Sequence, residues 1–332
     1  MSLPQIKEEH LKEIVKSDKY PDPFADIAVD VGIGLTSKPK MLNPKYFYDE
    51  NGSRLFDEIT RLPEYYPTRT ETKILARESE RLIAKYKPMA IFELGSGSAT
   101  KTNMILEPMK KMGLLKEIGL LDFNEEFLIE SVANFQNRYP GVRIRSVVGD
   151  FSKELLFDSF NHSPTLYLIL GSTIGNMSFR ESIKFLKRVA EKMHPSDYFL
   201  LGTDLIKDEK ILYDAYNDSQ GVTAEFNKNI LKVINGKLGA DFNPERFVHE
   251  AIYNSSDNRI EMYLISNSDQ KVFIKDLNLE IKIERGEKIC TELSRKYDRQ
   301  KVEAMLETAG MEIIEWMTDE DSLYALSLSK LI

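Results

Sequence analysis

The stretch Ala90-Ile91-Phe92-Glu93-Leu94-Gly95-Ser96-Gly97-Ser98 decides the fold, because a short apolar strand ends there in a Gly-x-Gly turn. Glycines adopt positive φ and let the backbone approach a ligand closely. The first strand of a doubly wound sheet delivers its ligand at such a turn. The dinucleotide fingerprint would need a third glycine where Thr100 stands, which disfavours a tight diphosphate site. A lone Gly-x-Gly is equally compatible with a plain strand-to-helix turn.

The sequence around this turn alternates short apolar runs with helical patterns. A capping box at 68–71 predicts the start of a helix before the first strand. Further strands are predicted at 118–121, 142–148, 165–170, 198–202, 311–317 and 322–328. Helices are predicted from the glycine turn to about 111, with a kink or early stop at Pro108, and at 125–138, 180–193 and 298–309. This alternation predicts a parallel sheet covered by helices on both faces.

Two segments depart from that alternation. Residues 1–60 are predicted to be irregular, with a polar turn at 49–53. Residues 205–285 contain predicted helices at 207–216 and 223–237, followed by β-like runs at 259–266 and 272–274. We therefore predict two domains. One is a cofactor-binding domain of residues 61–204 plus 286–332, and the other is a substrate-binding domain of residues 1–60 plus 205–285.

The composition of the 332 residues excludes several classes of protein. A net charge of −8 argues against a nucleic-acid partner. The single cysteine, Cys290, and four histidines without ligand spacing predict neither a disulfide nor a metal site. No apolar run reaches the length of a membrane helix, and the start MSLPQIKEEH lacks the apolar stretch of a signal peptide. We expect a cytoplasmic protein, acting as a monomer, with no membrane partner.

Acidic residues end the second and third predicted strands. Asp122 is placed to accept hydrogen bonds from ribose hydroxyls, and Asp150-Phe151 offers a carboxylate for an exocyclic amine and a ring to cover adenine. Each also suits a helix cap or a turn. With the glycine turn, they predict a nucleoside-binding rim for an adenosine cofactor without diphosphate, namely S-adenosylmethionine.

Several longer strings carry a family resemblance. They are YFYDENGSRLF (46–56), ITRLPEYYPTR (59–69), LGSTIGNM (170–177), GVTAEFNKN (221–229) and TELS (291–294). With the glycine turn, these strings resemble the L-histidine Nα-methyltransferases of ergothioneine biosynthesis, from about residue 40 to the C-terminus. The resemblance implies a class I S-adenosylmethionine-dependent methyltransferase. Its fold would be α/β, a Rossmann-like doubly wound sheet with an inserted α+β substrate-binding domain. The implied reaction moves three methyl groups onto the α-amine of L-histidine, giving hercynine.

The resemblance also implies site residues, and this chain matches the family at each of them. The implied cofactor-binding residues are Gly95, Lys101, Asp122, Asp150 and Phe151. The implied substrate-binding residues are Tyr48, Tyr65, Gly171, Asn176, Tyr216, Met262, Glu292 and Ser294, of which Asn176, Tyr48 and Tyr216 would be catalytic. We expect relatives that act on other aromatic amino acids to differ at Met262 and Glu292.

Residue chemistry gives these positions possible roles beside plainer ones. The Asn176 amide could bind the substrate amine or carboxylate, yet Ile-Gly-Asn also suits a turn. Glu292 and Ser294, two apart, would face one side of an extended segment and could grip both imidazole nitrogens. Taken without the resemblance, they are more typical of an exposed glutamate and a helix-capping serine. Lys101 could bind the methionyl carboxylate of the cofactor or be a solvated surface lysine.

The remaining candidates have packing as their alternative. Most of the 15 tyrosines must be packing residues, although Tyr48, Tyr65 and Tyr216 could orient a carboxylate and attract a methylated ammonium. Met262 would otherwise be a core residue of an alternating strand. Cys290 suggests a nucleophile, but methyl transfer needs none and a buried cysteine is more often packing.

Three other functions stay open at this point. One is N-methylation of another amino acid or small amine, and a second is a non-catalytic S-adenosylmethionine-binding module. A nicotinamide dehydrogenase is disfavoured by the missing third glycine. Methyl transfer requires no covalent intermediate. The amine must lose a proton before each transfer, but no residue is singled out as a general base, and solvent or a tyrosine could take the proton.

Overall fold

The computed structural model describes residues 24–97, 99–150 and 162–332, and the backbone of residues 14–16. Its helices are α1 (Ile27–Thr36), α2 (Glu50–Ile59), α3 (Tyr66–Tyr86), α4 (Asn103–Lys111), α5 (Glu125–Arg138), α6 (Phe179–Lys192), α7 (Glu209–Tyr216), α8 (Val222–Leu238) and α9 (Arg299–Thr308). Its strands are β1 (Ile14–Lys16), β2 (Lys40–Met41), β3 (Ala90–Leu94), β4 (Glu117–Asp122), β5 (Arg143–Val148), β6 (Thr165–Ile169), β7 (Tyr198–Asp204), β8 (Phe247–Asn254), β9 (Arg259–Ser266), β10 (Gln270–Ile274), β11 (Leu279–Ile283), β12 (Lys288–Arg295), β13 (Met311–Thr318) and β14 (Tyr324–Leu331). In these described ranges no helix has both the length and the apolar character needed to cross a bilayer.

The main sheet has the strand order β1-β5-β4-β3-β6-β7-β14-β13. Strand β3 pairs in parallel with β4 on one side and with β6 on the other, so the direction of the winding reverses there. Strand β14 is antiparallel to both of its neighbours. This topology confirms the predicted α/β class and the Rossmann-like doubly wound sheet. Such sheets bind ligands outside the carboxyl ends of their strands at the point of reversal.

Apolar layers cover both faces of the main sheet. All five residues of β3 are buried, which is why this strand is a continuous apolar run rather than an alternating one. Ile91 packs in the layer that includes Leu106 of α4 and Leu128 of α5. Phe92, on the opposite face, packs with the layer that includes Phe185 of α6. The buried strands fix the turns at their carboxyl ends on a rigid base.

A second sheet, of order β2-β12-β9-β8, lies beside a β10-β11 hairpin. Its apolar core combines the N-terminal segment with the later insertion, for example Val31 of α1 with Ile230 of α8 and Leu264 of β9. This packing supports the predicted division into two domains, which we retain as a proposal. Because β12 pairs with β9 and β2, we now propose that the substrate-binding unit also includes Lys288–Arg295, beyond the predicted boundary at 286.

Strand β12 contains a bulge. Cys290 pairs with Tyr263 of β9 and Glu292 pairs with the next residue, Met262, so Thr291 is an extra residue on β12. The Thr291 hydroxyl donates to Asn227 Oδ1 at 2.6 Å and to the Met262 carbonyl at 3.2 Å. A bulge re-aims the side chains that follow it. Here those side chains include Glu292 and Ser294.

Three local predictions in the N-terminal region are wrong. The predicted irregular segment 1–60 contains helices α1 and α2, and the predicted turn at 49–53 is the start of α2. Asp49 is its N-cap, since its carboxylate accepts the Gly52 N–H at 2.8 Å. The predicted capping box at 68–71 lies inside α3, which begins at Tyr66. Pro67 suits the first turn of a helix, because proline lacks an N–H that would be unpaired there.

Candidate active site

A cavity of about 1060 Å³ lies between the carboxyl ends of the main-sheet strands and the second sheet. It is lined by all of the predicted site residues that the structure describes: Tyr48, Tyr65, Gly95, Lys101, Asp122, Asp150, Gly171, Asn176, Tyr216, Met262, Glu292 and Ser294. Phe151 lies outside the described residues. The fold thus brings together residues from widely separated parts of the sequence. Their individual roles remain predictions.

The glycine turn after β3 forms one end of the cavity. Gly95 and Gly97 have φ of 76° and 50°, which L side chains rarely adopt. The Gly97 N–H donates to Asp122 Oδ2 at 2.7 Å, and Asp122 Oδ1 accepts the Asn124 N–H at 2.8 Å. Burial raises the pKa of Asp122 and outweighs these backbone hydrogen bonds, which lower it. Each carboxylate oxygen keeps a further lone pair for a hydroxyl donor.

Lys101 is held at this end by Glu71, a fully buried carboxylate on α3. Glu71 also accepts the Gly171 N–H, at 2.9 Å to each oxygen, and the Tyr324 hydroxyl at 2.9 Å. Gly171 has φ of 75°, and a Cβ atom there would lie 3.3 Å from Lys101 Nζ. Glu71 therefore connects Lys101 to Gly171. From the sequence, Glu71 is predicted only as part of a capping box, although a carboxylate beside the apolar stripe of α3 also indicates a buried partner.

The N-terminal segment contacts the loop at the carboxyl end of β5, the third predicted strand. Lys45 Nζ lies 3.2 Å from Asp150 Oδ2 and 3.1 Å from Asp30 Oδ2 on α1. The Tyr46 hydroxyl donates to the same Asp30 oxygen at 2.7 Å. Asp150 therefore contacts the N-terminal part of the proposed substrate-binding unit directly. The sequence analysis did not single out Lys45, because the ion pair joins positions 105 residues apart.

Glu93, the acidic residue of the glycine-turn motif, is buried against the cavity. Burial raises its pKa to about 8, although the Thr102 hydroxyl, which donates to it, and the charge of Lys101 lower it. A carboxyl with such a pKa can donate as well as accept hydrogen bonds near neutral pH. The sequence pattern predicts Glu93 only as a residue of the strand.

The other end of the cavity is built from the turn after β6 and from β12. Asn176 ends a short 3₁₀ turn, and its Nδ2 donates to Glu292 Oε1 at 3.1 Å and to the Leu293 carbonyl at 3.2 Å. Burial raises the pKa of Glu292 to about 7, while the Asn176 hydrogen bond and the charge of Lys296 lower it. Asn176 therefore joins the main sheet to the second sheet at Glu292.

Glu292 and Met262 are a cross-strand pair. Residues directly opposite each other in an antiparallel pair share a face of the sheet, so both contribute to one wall. Ser294 follows two positions after Glu292 on β12, and its side chain is buried. The segment is an extended strand, so the condition under which the two side chains would share a side is met. Met262 is also a core residue, with 1% of its surface exposed.

Ser294 belongs to a buried polar network. The Tyr216 hydroxyl donates to Ser294 Oγ at 2.8 Å. Lys296 Nζ donates to the Tyr216 hydroxyl at 3.0 Å and to Ser294 Oγ at 2.9 Å, and it pairs with Asp204 Oδ2 at 2.8 Å. The sequence analysis missed both Lys296 and Asp204. A lysine two residues after Ser294, on the same side of an extended strand, was the available signal.

Aromatic rings surround the middle of the cavity. Phe56 lies with its ring centroid 5.7 Å from Tyr48, 6.1 Å from Tyr65 and 5.9 Å from Phe226. The pKa of Tyr48 is raised well above its usual value by burial and by the nearby Glu292 carboxylate. Burial likewise raises the pKa of Tyr65 and Tyr216. The three phenols are therefore neutral hydrogen-bonding groups, and Phe56 and Phe226 are wall residues that the sequence analysis missed.

Cys290 also lines the cavity. Burial raises the pKa of its thiol to about 11, so the thiolate is scarce at neutral pH. A nucleophilic cysteine needs the opposite shift. This favours the packing role over the nucleophile.

Comparison with known proteins agrees with this geometry. The family model described as "Histidine-specific methyltransferase, SAM-dependent" matches residues 27–331. The chain is 44% identical over 300 residues to a histidine N-alpha-methyltransferase of Mycobacterium tuberculosis (strain CDC 1551 / Oshkosh), covering 90% of this chain and 93% of the relative. It is 44% identical over 301 residues to the protein of the same name from Mycolicibacterium smegmatis, with the same coverage of 90% and 93%.

A more distant relative is ergothioneine biosynthesis protein 1 of Neurospora crassa, 32% identical over 303 residues. That alignment covers 88% of this chain but 34% of the relative, which is a much longer protein. The family match spans the second sheet, every strand of the main sheet except β1, and every predicted site residue. The predicted enzyme class and the predicted cofactor are thereby confirmed. This chain belongs to the S-adenosylmethionine-dependent, histidine-specific methyltransferase family.

Proposed function

We propose that this enzyme transfers three methyl groups in succession to the α-amine of L-histidine, giving hercynine for ergothioneine biosynthesis. The observation that carries the proposal is the wall formed by Glu292 and Ser294 on one face of β12, fixed to the main sheet by Asn176. A carboxylate beside a hydroxyl matches the two nitrogens of an imidazole. The 44% identity to two histidine N-alpha-methyltransferases supports the same substrate.

The opposite end of the cavity fits the cofactor. The open space over Gly97, where a Cβ atom would meet nothing within 4 Å, suits a ligand lying against the backbone. Asp122 and Asp150 offer acceptors for the ribose and the adenine amine, and Lys101 offers a cation for the methionyl carboxylate. When bound, S-adenosylmethionine supplies an electrophilic methyl group on its sulfonium.

The chain's own contribution is placement. Proximity and orientation can supply about 7–11 kcal/mol of barrier reduction. In our proposal Asn176 and the hydroxyls of Tyr48 and Tyr65 hold the amine and carboxylate, while β12 holds the ring with the help of the Tyr216 hydroxyl, which donates to Ser294. Because burial keeps Tyr48, Tyr65 and Tyr216 protonated, none of them is a resting base. We propose that the amine gives its proton to water before each transfer.

The aromatic wall favours successive methylation. Each transfer makes the ammonium bulkier and less able to donate hydrogen bonds. Aromatic faces attract such cations by about 0.5–2 kcal/mol. Phe56, Tyr48 and Tyr65 converge on the same part of the cavity, so they would retain the partly methylated intermediates. We expect little release of mono- and dimethylhistidine.

Mass spectrometry of a reaction with L-histidine and S-adenosylmethionine tests the proposal. We expect a product with three added methyl groups, and none with L-tryptophan at the same concentration. The Glu292→Ala variant should lose the preference for histidine over tryptophan. Methylation of another amine but not of histidine would refute the proposed substrate. Binding of both cofactor and histidine without turnover would instead support a non-catalytic module.

We also propose that the enzyme acts as a monomer in the cytoplasm, without a membrane or nucleic-acid partner. The net charge of −8 supports the last point, because nucleic acids bind basic surfaces. Light scattering on the eluting peak of a gel-filtration column measures the mass in solution. A dimer mass would contradict the monomer.

A further inference from the structure

A buried lysine lies behind the wall that holds Glu292 and Ser294. Lys296 is 1% exposed. Its ammonium group donates to Asp204 Oδ2 at 2.8 Å, to Ser294 Oγ at 2.9 Å and to the Tyr216 hydroxyl at 3.0 Å. An ammonium has three N–H donors and no acceptor. These contacts therefore use the full hydrogen-bonding capacity of Lys296.

The direction of the neighbouring hydrogen bonds follows from this count. A serine hydroxyl has one donor and two acceptor sites. Ser294 Oγ accepts from Lys296 at 2.9 Å and from the Tyr216 hydroxyl at 2.8 Å, which fills both acceptor sites. The remaining capacity of Ser294 is its own O–H donor. Ser294 lines the cavity, so this donor is available to a ligand there.

The position of Lys296 is itself fixed by charge. Burial raises the pKa of Asp204, but the charges of Lys296 and Lys207 outweigh burial and hold it below its usual range. Asp204 also accepts the Tyr66 hydroxyl at 2.8 Å. Removal of one partner from a buried ion pair is strongly unfavourable, which holds Lys296 in place. The lysine is therefore a rigid donor to both hydroxyls.

We propose that Lys296 is a positioning residue for specificity: it fixes the Ser294 hydroxyl as a donor, so that this wall accepts a neutral imidazole. The inference rests on the proposed histidine substrate. A neutral imidazole has one bare nitrogen and one N–H. The bare nitrogen accepts from Ser294, and the N–H donates to Glu292. An imidazolium, with two N–H groups, would set a donor against Ser294 and a second positive charge near Lys296.

The test uses ring analogues that lack the accepting nitrogen. The two probes are 3-(pyrrol-2-yl)-L-alanine and 3-(pyrrol-3-yl)-L-alanine, which keep an N–H at one or the other nitrogen position of histidine. For the wild-type enzyme we expect kcat/KM for either probe to be about 10–100-fold below that for histidine, because the Ser294 donor is left unpaired. In Lys296→Met, Ser294 can turn its O–H away, so this ratio should fall at least about fivefold.

Two further variants separate positioning from general damage. Ser294→Ala should reduce the ratio as much as Lys296→Met does, and the double variant should reduce it no further. Lys207→Met is the matched control, because Lys207 also pairs with Asp204 but its other contacts are the Tyr66 hydroxyl at 2.7 Å and the Leu205 carbonyl at 2.5 Å. Its ratio of histidine to pyrrole activity should stay within about twofold of the wild type.

The possible outcomes are distinct. If Lys296→Met lowers activity toward histidine and the probes by the same factor, the lysine is only structural and the inference is overturned. If Lys296→Met does not fold, the triple variant Lys296→Met/Asp204→Asn/Lys207→Met removes all three buried charges of the cluster, and calorimetric binding of histidine and the probes with S-adenosylhomocysteine gives the same ratio. Wild-type enzyme that fails to methylate histidine would overturn the proposed function, and this inference with it.

Discussion

Glu71→Gln tests whether the buried carboxylate on α3 organises the cofactor end of the cavity. Glutamine keeps an oxygen that can accept from the Gly171 N–H and the Tyr324 hydroxyl, but it presents an NH₂ group to Lys101. The change therefore removes one charge-assisted hydrogen bond, about 1.5–3 kcal/mol for a buried pair. Because the Lys101 side chain is 24% exposed, solvent screening reduces this to about 1–2 kcal/mol.

The assay has two parts, and α3 provides the control. Urea denaturation gives the free energy of unfolding, and calorimetry gives the Kd for S-adenosylhomocysteine. Glu78→Gln makes the same chemical change in the same helix, but Glu78 pairs with Arg77 and Arg81, whose side chains are 50% and 46% exposed. We expect Glu78→Gln to cost about 0.5 kcal/mol and to leave the Kd unchanged. We expect Glu71→Gln to raise the Kd about tenfold, because Lys101 is no longer held toward the cofactor carboxylate. Equal stability and equal Kd values for the two variants would refute this account of Glu71.

Three further predictions concern Glu292, Asn176 and two glycines. Burial raises the pKa of Glu292 from 4.5 to about 7, so the folded protein keeps a proton that the unfolded chain has lost between these pH values. The free energy of unfolding therefore falls as pH rises through this window. Glu292→Gln should stabilise the ligand-free protein at pH 8 by about 1–2 kcal/mol but not at pH 4. Urea denaturation at both pH values checks this prediction, and an equal effect at both would contradict it. Asn176→Ala should lower kcat/KM for histidine about 10–100-fold through loss of the Glu292 and Leu293 contacts, with an unchanged melting temperature because Asn176 is exposed; an unchanged kcat/KM would contradict the predicted role. Gly52→Ala would place a Cβ atom 1.7 Å from the Phe47 carbonyl oxygen and should lower the free energy of unfolding by more than about 3 kcal/mol. Gly97→Ala has open space but a φ of 50°, so it should lower the free energy of unfolding by about 1–2 kcal/mol. Denaturation curves that reverse this order would contradict the argument.

The main sheet was predictable because its signals are local. Helix α5 and strand β9 have the predicted bounds, and the other predicted strands agree to within three residues. Continuous apolar runs such as Ala90–Leu94 occur where helices cover both faces of a sheet. The N-terminal helices were missed because their signals are weak. α1 begins at Ile27, and its N-cap residue Asp26 makes no side-chain capping hydrogen bond, while α2 contains a glycine and a serine.

The residues of the candidate site also fall into those that the sequence could place and those that it could not. Residues in recognisable strings, such as Asn176 and Glu292, could be placed by resemblance. The distant partners of Glu71, Lys296 and Lys45 could not be placed, because Lys101, Tyr216 and Asp150 lie at least 30 residues away from them in sequence. A charged residue on an otherwise buried face indicates a buried partner, but only the fold shows which residue that partner is.

The extra residue on β12 determines which face of the strand the substrate would meet. If Thr291 paired with Met262 in a regular ladder, Glu292 would shift to pair with Glu261 and Ser294 with Arg259. A one-residue slip turns every following side chain to the opposite face, and it would set two carboxylates directly opposite each other, an arrangement that destabilises a sheet. Asn227 on α8 accepts a hydrogen bond from the Thr291 hydroxyl, and this bond stabilises the observed register over the shifted one. If Glu292 and Ser294 select the substrate as we propose, that selection depends on the register of a strand, and a change at Asn227 would alter it without touching the ligand.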